Sequence, residues 1–221
     1  MKKLLTLVLT LLAVFLLFSE STAQSSGKLK YVFLFIGDGM GSNHVFLTEK
    51  YNELTKSEPL IFMNGHWSFG LVKTDCADSN KITDSGAGGT ALACGERTNY
   101  GMIGEYQGKP LESIAEYLHK EKKFKVGIIT SVPLNHATPA SFYVHEPTRR
   151  NYDNISHGII ESGFEFFAGG GFQFGNADTT KKIYRDFNAV VHNMTENNYQ
   201  LVYEEAQLTA DNAASFHHVV I

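Results

Sequence analysis

The sequence holds only two cysteines, Cys76 and Cys94, and no run of lysines or arginines interleaved with aromatics. Two thiols permit one disulfide in an oxidising compartment without requiring it, so their pairing stays open. A formal net charge of -4 and a pI near 6.1 supply no basic field for a polyanionic backbone, which excludes nucleic acid as a specific partner. No repeat or low-complexity segment interrupts the chain. The G-x-G-x-x-G turn, the G-K-[ST] of a P-loop and the G-x-S-x-G elbow are all missing, which argues against dinucleotide binding, P-loop chemistry and a hydrolase triad. The longest apolar run, residues 4–18, is short of the ~20 residues that span a bilayer.

That run follows Met1-Lys2-Lys3 and leads into Ser21-Thr22-Ala23, the basic, apolar and small-residue order of a secretory signal peptide over residues 1–23. Cleavage after Ala23 predicts a protein exported to the periplasm or the extracellular space, with no stable membrane span left. Residues 24–30 read as a polar connector, and the remainder, residues 31–221, as one domain. At 43% hydrophobic and 12% aromatic, the chain has material for a single packed core.

Residues 31–36, Tyr-Val-Phe-Leu-Phe-Ile, predict a buried central strand stopped by Gly37. Ser42 is placed to cap a helix carrying Val45, Phe46, Tyr51 and Leu54, and residues 69–74 read as a strand. Pro110 is expected to open a helix with Leu111, Ile114, Ala115 and Leu118 on one face. Residues 125–130 read as a strand, residues 152–162 as a helix, 164–168 as a strand and 216–221 as the start of another. Strands alternating with helices define an α/β fold, a three-layer sandwich with a largely parallel central sheet. The final apolar residues have no closing helix or turn after them, so the sequence is expected to be a fragment whose fold is incomplete at the C-terminus.

Three motifs follow apolar segments, where α/β sheets collect their chemistry. In Gly37-Asp38-Gly39-Met40-Gly41, a carboxylate between glycines suits a hard cation, although Asp38 alone reads equally as a turn residue. In Thr83-Asp84-Ser85-Gly86, small residues behind Ser85 can start a helix, which puts the hydroxyl where backbone N–H groups favour an anion. A serine hydroxyl is a poor nucleophile unless a base or a metal activates it; metal activation fits better here than a triad, and a plain N-cap is the blander role. In His136-Ala137-Thr138-Pro139 an imidazole and a hydroxyl lie two residues apart. Arg149 follows, either as a bidentate clamp for a phosphate or sulfate or as a solvated surface arginine. His145 reads as structural or surface-exposed.

Taken together, FIGDGMG, TDSGAGGTA and HATPASFYVHEPTR, in that order, resemble the alkaline phosphatase family. The likeness runs from about Tyr31 to the end and includes the glycine turn Gly169-Gly170-Gly171. It implies a metal-dependent phosphate-monoester hydrolase with Ser85 as the residue phosphorylated in turnover, Arg149 as the phosphate clamp and Asp84 steadying that arginine. Asp38, Ser85, His136 and Thr138 would be metal ligands, with Asp38 bridging a zinc and the third site and Thr138 in the third site. The resemblance implies two zinc ions in the full-length protein and a third, magnesium, site; nitrogen at His136 opens that site to zinc or cobalt. Small phosphate monoesters are the implied substrates, and the family resemblance admits a homodimer. The family's remaining zinc ligands and its magnesium-binding glutamate fall in a C-terminal half beyond these residues, and His217 and His218 do not match them. A non-catalytic metal- or phosphate-binding remnant is therefore the rival reading. A phosphodiesterase or sulfatase of the same superfamily fits less well, because the C/S-x-P-x-R context of a sulfatase is missing and the diesterase members usually carry a threonine nucleophile.

Overall fold

Helices and strands form where a cap or a ladder partner supports them. The computed structural model describes residues 29–60, 68, 70–78, 81–174, 187–204, 207 and 217–220, and it divides into two compact units, Met1–Gly37 and Asp38–Ile221. The signal-peptide reading falls on residues outside those described.

In the second unit, α1 (Ser42–Thr55) and α2 (Ser85–Cys94) precede a small antiparallel pair, β1 (Glu105–Tyr106) and β2 (Lys109–Pro110). After α3 (Ile114–Lys122) come β3 (Gly127–Ile129), the short α4 (Ala137–Ala140), α5 (Tyr152–Ser162) and β4 (Phe166–Ala168). Then follow α6 (Phe187–Glu196), β5 (Tyr199–Val202) and β6 (His217–Val220). The last four strands make one sheet in the order β3-β4-β6-β5. Every pair in it is parallel, with Ile128 opposite Phe167, and Phe167 and Leu201 both opposite Val219. Parallel neighbours need crossovers, and helices lie between β3 and β4 and between β4 and β6 in the chain. The α/β class with a parallel sheet is therefore as expected.

The core gathers at β4. Phe167 is fully buried and meets Tyr143 edge-on at 5.4 Å, stacks on Phe164 at 6.3 Å and tilts against Tyr199 at 6.4 Å. Ile155 and Ile159 of α5 and Val190 and Met194 of α6 are buried as well, each contributing roughly 1.5–3 kcal/mol by leaving water. The Tyr143 hydroxyl donates to the Leu134 carbonyl at 2.8 Å, satisfying a phenol whose pKa burial pushes up.

Four expectations change. Residues 31–36 form no strand, and Phe33 and Phe35 are 77% and 90% exposed; an apolar run becomes a strand only when a ladder partner satisfies its backbone. Of the expected strand at residues 69–74, Phe69 lies outside the described residues and 70–74 are irregular, and the bridge Asp75–Ile82 forms just after them. Finally, α3 begins at Ile114 and not at Pro110, which lies in β2. Ser113 Oγ accepts from the Glu116 N–H at 3.1 Å while Glu116 Oε2 accepts from the Ser113 N–H at 2.7 Å, a reciprocal cap that outweighs the pull of a proline. In α1, likewise, the N-cap is Gly41 and not Ser42, and none of its side chains is buried.

The capping carboxylate has a second task. His145 Nε2 lies 3.0 Å from Glu116 Oε1, and its Nδ1 lies 2.6 Å from the Gly104 carbonyl. Both ring nitrogens face acceptors, so only the imidazolium satisfies both. The Glu116 carboxylate raises the His145 pKa above 6.5 against burial, which lowers it. Burial pushes the Glu116 carboxyl up, but the His145 contact and the Ser113 N–H outweigh it and leave the carboxyl below 4.5. The histidine's contribution is complete below 6.5 and is lost as pH rises through its raised pKa; the glutamate's is present above 4.5 and is lost as pH falls through its lowered one. Glu116→Gln keeps an acceptor for the cap and removes the charge. Its loss of thermal stability should be largest between about pH 4.5 and 6.5 and should shrink in alkali; a deficit independent of pH in melting curves would contradict the ion pair.

Candidate active site

Asp84 organises the site. It is the N-cap of α2, and Oδ1 accepts from the Ala87 N–H at 3.1 Å and the Gly101 N–H at 2.9 Å. Oδ2 accepts from the Gly86 N–H at 3.2 Å and from Arg149 Nη1 at 2.8 Å. Burial works to raise its pKa, but the Gly101 N–H, the Arg149 guanidinium and the two helix N–H groups outweigh it, and the carboxyl stays below its ordinary value. Ser85 is thus the first helical residue and not the cap. The N–H groups of Gly86 and Ala87, expected at sequence level to favour an anion, are occupied by Asp84.

The Ser85 hydroxyl donates to Asp38 Oδ1 at 3.2 Å, and the Thr138 hydroxyl donates to Asp38 Oδ2 at 2.7 Å. Residues 47 and 100 positions from Asp38 therefore converge on one exposed carboxylate. Thr138 sits in α4, whose close approach to α2 depends on Gly89, because a Cβ there would lie 2.5 Å from Ser141 Oγ and 3.5 Å from Thr138 Cα. Gly86 is as constrained, its Cβ position lying 2.8 Å from the Met102 carbonyl oxygen. Behind them the buried Thr90 hydroxyl donates to the Gly86 carbonyl and accepts from the Gly104 N–H, each at 2.8 Å.

Arg149 is held at backbone and side chain. Its N–H donates to the Gly101 carbonyl at 2.7 Å, and Nη2 lies 3.2 Å from His136 Nε2. A guanidinium only donates, so Nε2 accepts and the ring proton belongs on Nδ1. That atom is buried with no hydrogen-bond partner. Burial and the neighbouring Arg149 charge lower the His136 pKa, with Asp38 opposing them.

Each residue expected in the site lies in this neighbourhood, linked as Ser85–Asp38–Thr138 and Asp84–Arg149–His136. One carboxylate with two hydroxyl oxygens is a donor set suited to a hard cation, and His136 would add a borderline nitrogen only on release from Arg149, since the tautomer that accepts from the guanidinium carries its proton on the unpartnered Nδ1. Among the described residues no group of three or more His, Cys, Asp or Glu side chains converges as a metal cage. Cys76 and Cys94 are both free thiols, and burial pushes Cys94 up to about 12. A cleft of about 730 Å³ lies elsewhere, and its two histidines, His119 and His145, pair with Glu165 and Glu116. Sequence reasoning missed Thr90, Gly101 and Asn135, whose partners Gly104, Asp84 and Gln173 lie 14, 17 and 38 residues away.

A parallel α/β sheet thus accompanies a serine at a helix start, a carboxylate facing its hydroxyl and an arginine pinned alongside. The family model described as alkaline phosphatase matches residues 29–214, and the chain belongs to that family. It is 31% identical over 147 residues to alkaline phosphatase 4 of Bacillus subtilis, covering 65% of this chain and 32% of that protein. Among solved structures, the Thermus thermophilus alkaline phosphatase superposes with a TM-score of 0.70 at 26% identity, over 85% of this chain and 38% of that one. A histidine-to-glutamate variant of the TAB5 alkaline phosphatase, with Mg bound in its M3 site, gives 0.65 at 28% identity, over 84% and 50%. The chain spans about a third or less of the length of the curated relatives it matches. Among the described residues no helix is long and apolar enough to cross a membrane.

Proposed function

We propose that these residues are the N-terminal part of the catalytic domain of an exported phosphate-monoester hydrolase, with Ser85 as its nucleophile. The observation that carries this reading is the Ser85 hydroxyl, presented by the first turn of α2 against the Asp38 carboxylate. Asp38 Oδ1 accepts the hydroxyl hydrogen bond; as Ser85 Oγ bonds to phosphorus, the bond from phosphorus to the alcohol oxygen breaks, and the serine proton, taken through Asp38, leaves on that oxygen as the alcohol. Water then cleaves the phosphoserine and returns Ser85. Arg149 binds the phosphoryl oxygens, because the two nearest helix N–H groups serve Asp84, and Asp84 and His136 fix its plane.

Asp38, Thr138, Ser85 and His136 are the residues of this chain that would hold metal ions, two zinc ions and a third cation for which a neighbour's bound magnesium is the precedent. Bound metal would lower the pKa of the serine hydroxyl and neutralise charge on the leaving oxygen. The remaining ligands would come from outside these residues.

The full-length, metal-loaded protein should release phenol and phosphate in equal amounts from an aryl phosphate and lose that activity to a chelator. Acid quenching with labelled phosphate should leave label on Ser85. Preferred release from a sulfate ester, or turnover with no label on serine, would overturn the reading; bound metal without turnover would mark a binding remnant.

A further inference from the structure

From the hydrogen-bond network around the residue just before His136, we infer that Asn135 is a positioning residue that sets the arginine and imidazole side of the phosphate site. The inference rests on the phosphomonoesterase reading and extends it. Asn135 is completely buried. Its Oδ1 accepts from the Gln173 N–H at 2.8 Å; Nδ2 donates to the Gln173 carbonyl at 2.6 Å and to Ser156 Oγ at 3.0 Å, with the Tyr152 carbonyl at 3.4 Å. The backbone groups of Gln173 leave one orientation for the amide, oxygen toward the N–H and nitrogen toward the carbonyl.

These partners tie three segments together. Asn135 precedes His136 and lies three residues from Thr138. Tyr152 and Ser156 belong to the first turns of α5, which starts three residues after Arg149. Gln173 follows the glycine turn after β4, whose Gly171 carbonyl accepts from the Leu134 N–H at 2.8 Å. One buried amide therefore fixes the backbone bearing His136 relative to the backbone bearing Arg149, whose side chains meet at 3.2 Å. Asn135 touches none of Ser85, Asp84 or Asp38 in this network, so it acts through the placement of Arg149 and His136. Only an asparagine-sized amide offers an acceptor and two donors in that space; alanine would leave the Gln173 N–H and carbonyl unpaired.

The test is a double-mutant cycle in the metal-loaded full-length protein, reading the Kd of inorganic phosphate by calorimetry, and KM and kcat for an aryl phosphate, well below the melting temperature. Asn135→Ala should weaken phosphate binding and raise KM by on the order of 10- to 100-fold, as small misplacements of a clamp do. In an Arg149→Ala background the same change should have little further effect. Ser156→Ala, which removes one acceptor of the amide together with the hydroxyl's own bond to the Tyr152 carbonyl at 2.8 Å, should move Kd in the same direction by less, and it serves if Asn135→Ala does not fold. A lowered melting temperature with an unchanged phosphate Kd, or effects that add fully to those of Arg149→Ala, would overturn the inference. Ser85→Ala alongside separates the two claims, since activity that survives it removes the nucleophile assignment while the Kd cycle still judges Asn135.

Discussion

Ser85→Ala is expected to lower kcat/KM for an aryl phosphate by on the order of 10⁴-fold while leaving phosphate binding and folding nearly intact. The size follows from losing the covalent route, since removal of an enzymatic nucleophile leaves only positioning and charge stabilisation. The selectivity follows from the local structure. Ser85 is not the cap of α2, because Asp84 takes the helix N–H groups, and the hydroxyl of Ser85 donates to the exposed Asp38 carboxylate. Arg149 is held by Asp84 and His136 without help from Ser85. The melting temperature and the phosphate Kd of the full-length variant should therefore match the parent, with kcat collapsing and no labelled phosphoserine after acid quench. Retained turnover would remove Ser85 from the chemistry, and a collapse of phosphate affinity in step with kcat would mean that the hydroxyl binds more than it reacts.

How much of this was legible depended on whether the cause was local. The helix read over residues 152–162 forms with those bounds as Tyr152–Ser162, because its apolar period and its closing Gly163, at φ 64°, lie within the segment. The start of α3 also has a local cause, the reciprocal cap in Ser113-Ile114-Ala115-Glu116, whereas the expectation placed the start at Pro110. Residues 31–36 show the converse: an apolar, β-branched and aromatic run specifies no strand by itself, since pairing is decided elsewhere in the chain.

The site divides in the same way. Its members were visible as motifs, but their links join residues up to 100 positions apart, and no spacing rule supplies them. The glycines of α2 show the limit well. The sequence reading makes their smallness serve a bound anion, whereas Gly86 and Gly89 make room for the Met102 backbone and for Ser141 and Thr138. Glycine weakens a helix by roughly 0.5–1 kcal/mol against alanine, and here that weakness accompanies an approach of α4 close enough for Thr138 to reach the carboxylate that Ser85 also meets. His145, read as structural or surface-exposed, is structural, and the sign of its role came only with the two acceptors around its ring.

Asp84→Ala should be the most damaging single change to folding within the site. The Asp84 side chain is 6% exposed and accepts from three backbone N–H groups and one guanidinium. Removing it uncaps α2, which costs about 1 kcal/mol. It also strands the Gly101 N–H and the Arg149 cation, and because the arginine side chain keeps 25% of its surface in water the further cost falls below the roughly 3–5 kcal/mol of breaking a fully buried pair. Unfolding in denaturant should move to a clearly lower midpoint with an unchanged slope, and phosphate affinity should fall because the arginine has lost its carboxylate anchor. Asp84→Asn separates charge from shape: the amide oxygen still caps the helix, while the amide nitrogen opposes a donor. The Asp84 carboxyl titrates below 3.8 in the folded protein, so its stabilisation is present above that pH and fades as pH falls through the lowered value. Asp84→Asn should therefore flatten the acid limb of the stability profile and narrow its gap from the parent at low pH. A variant as stable as the parent at neutral pH, or one with an unaltered acid limb, would show that the carboxylate anchors neither the helix nor the arginine.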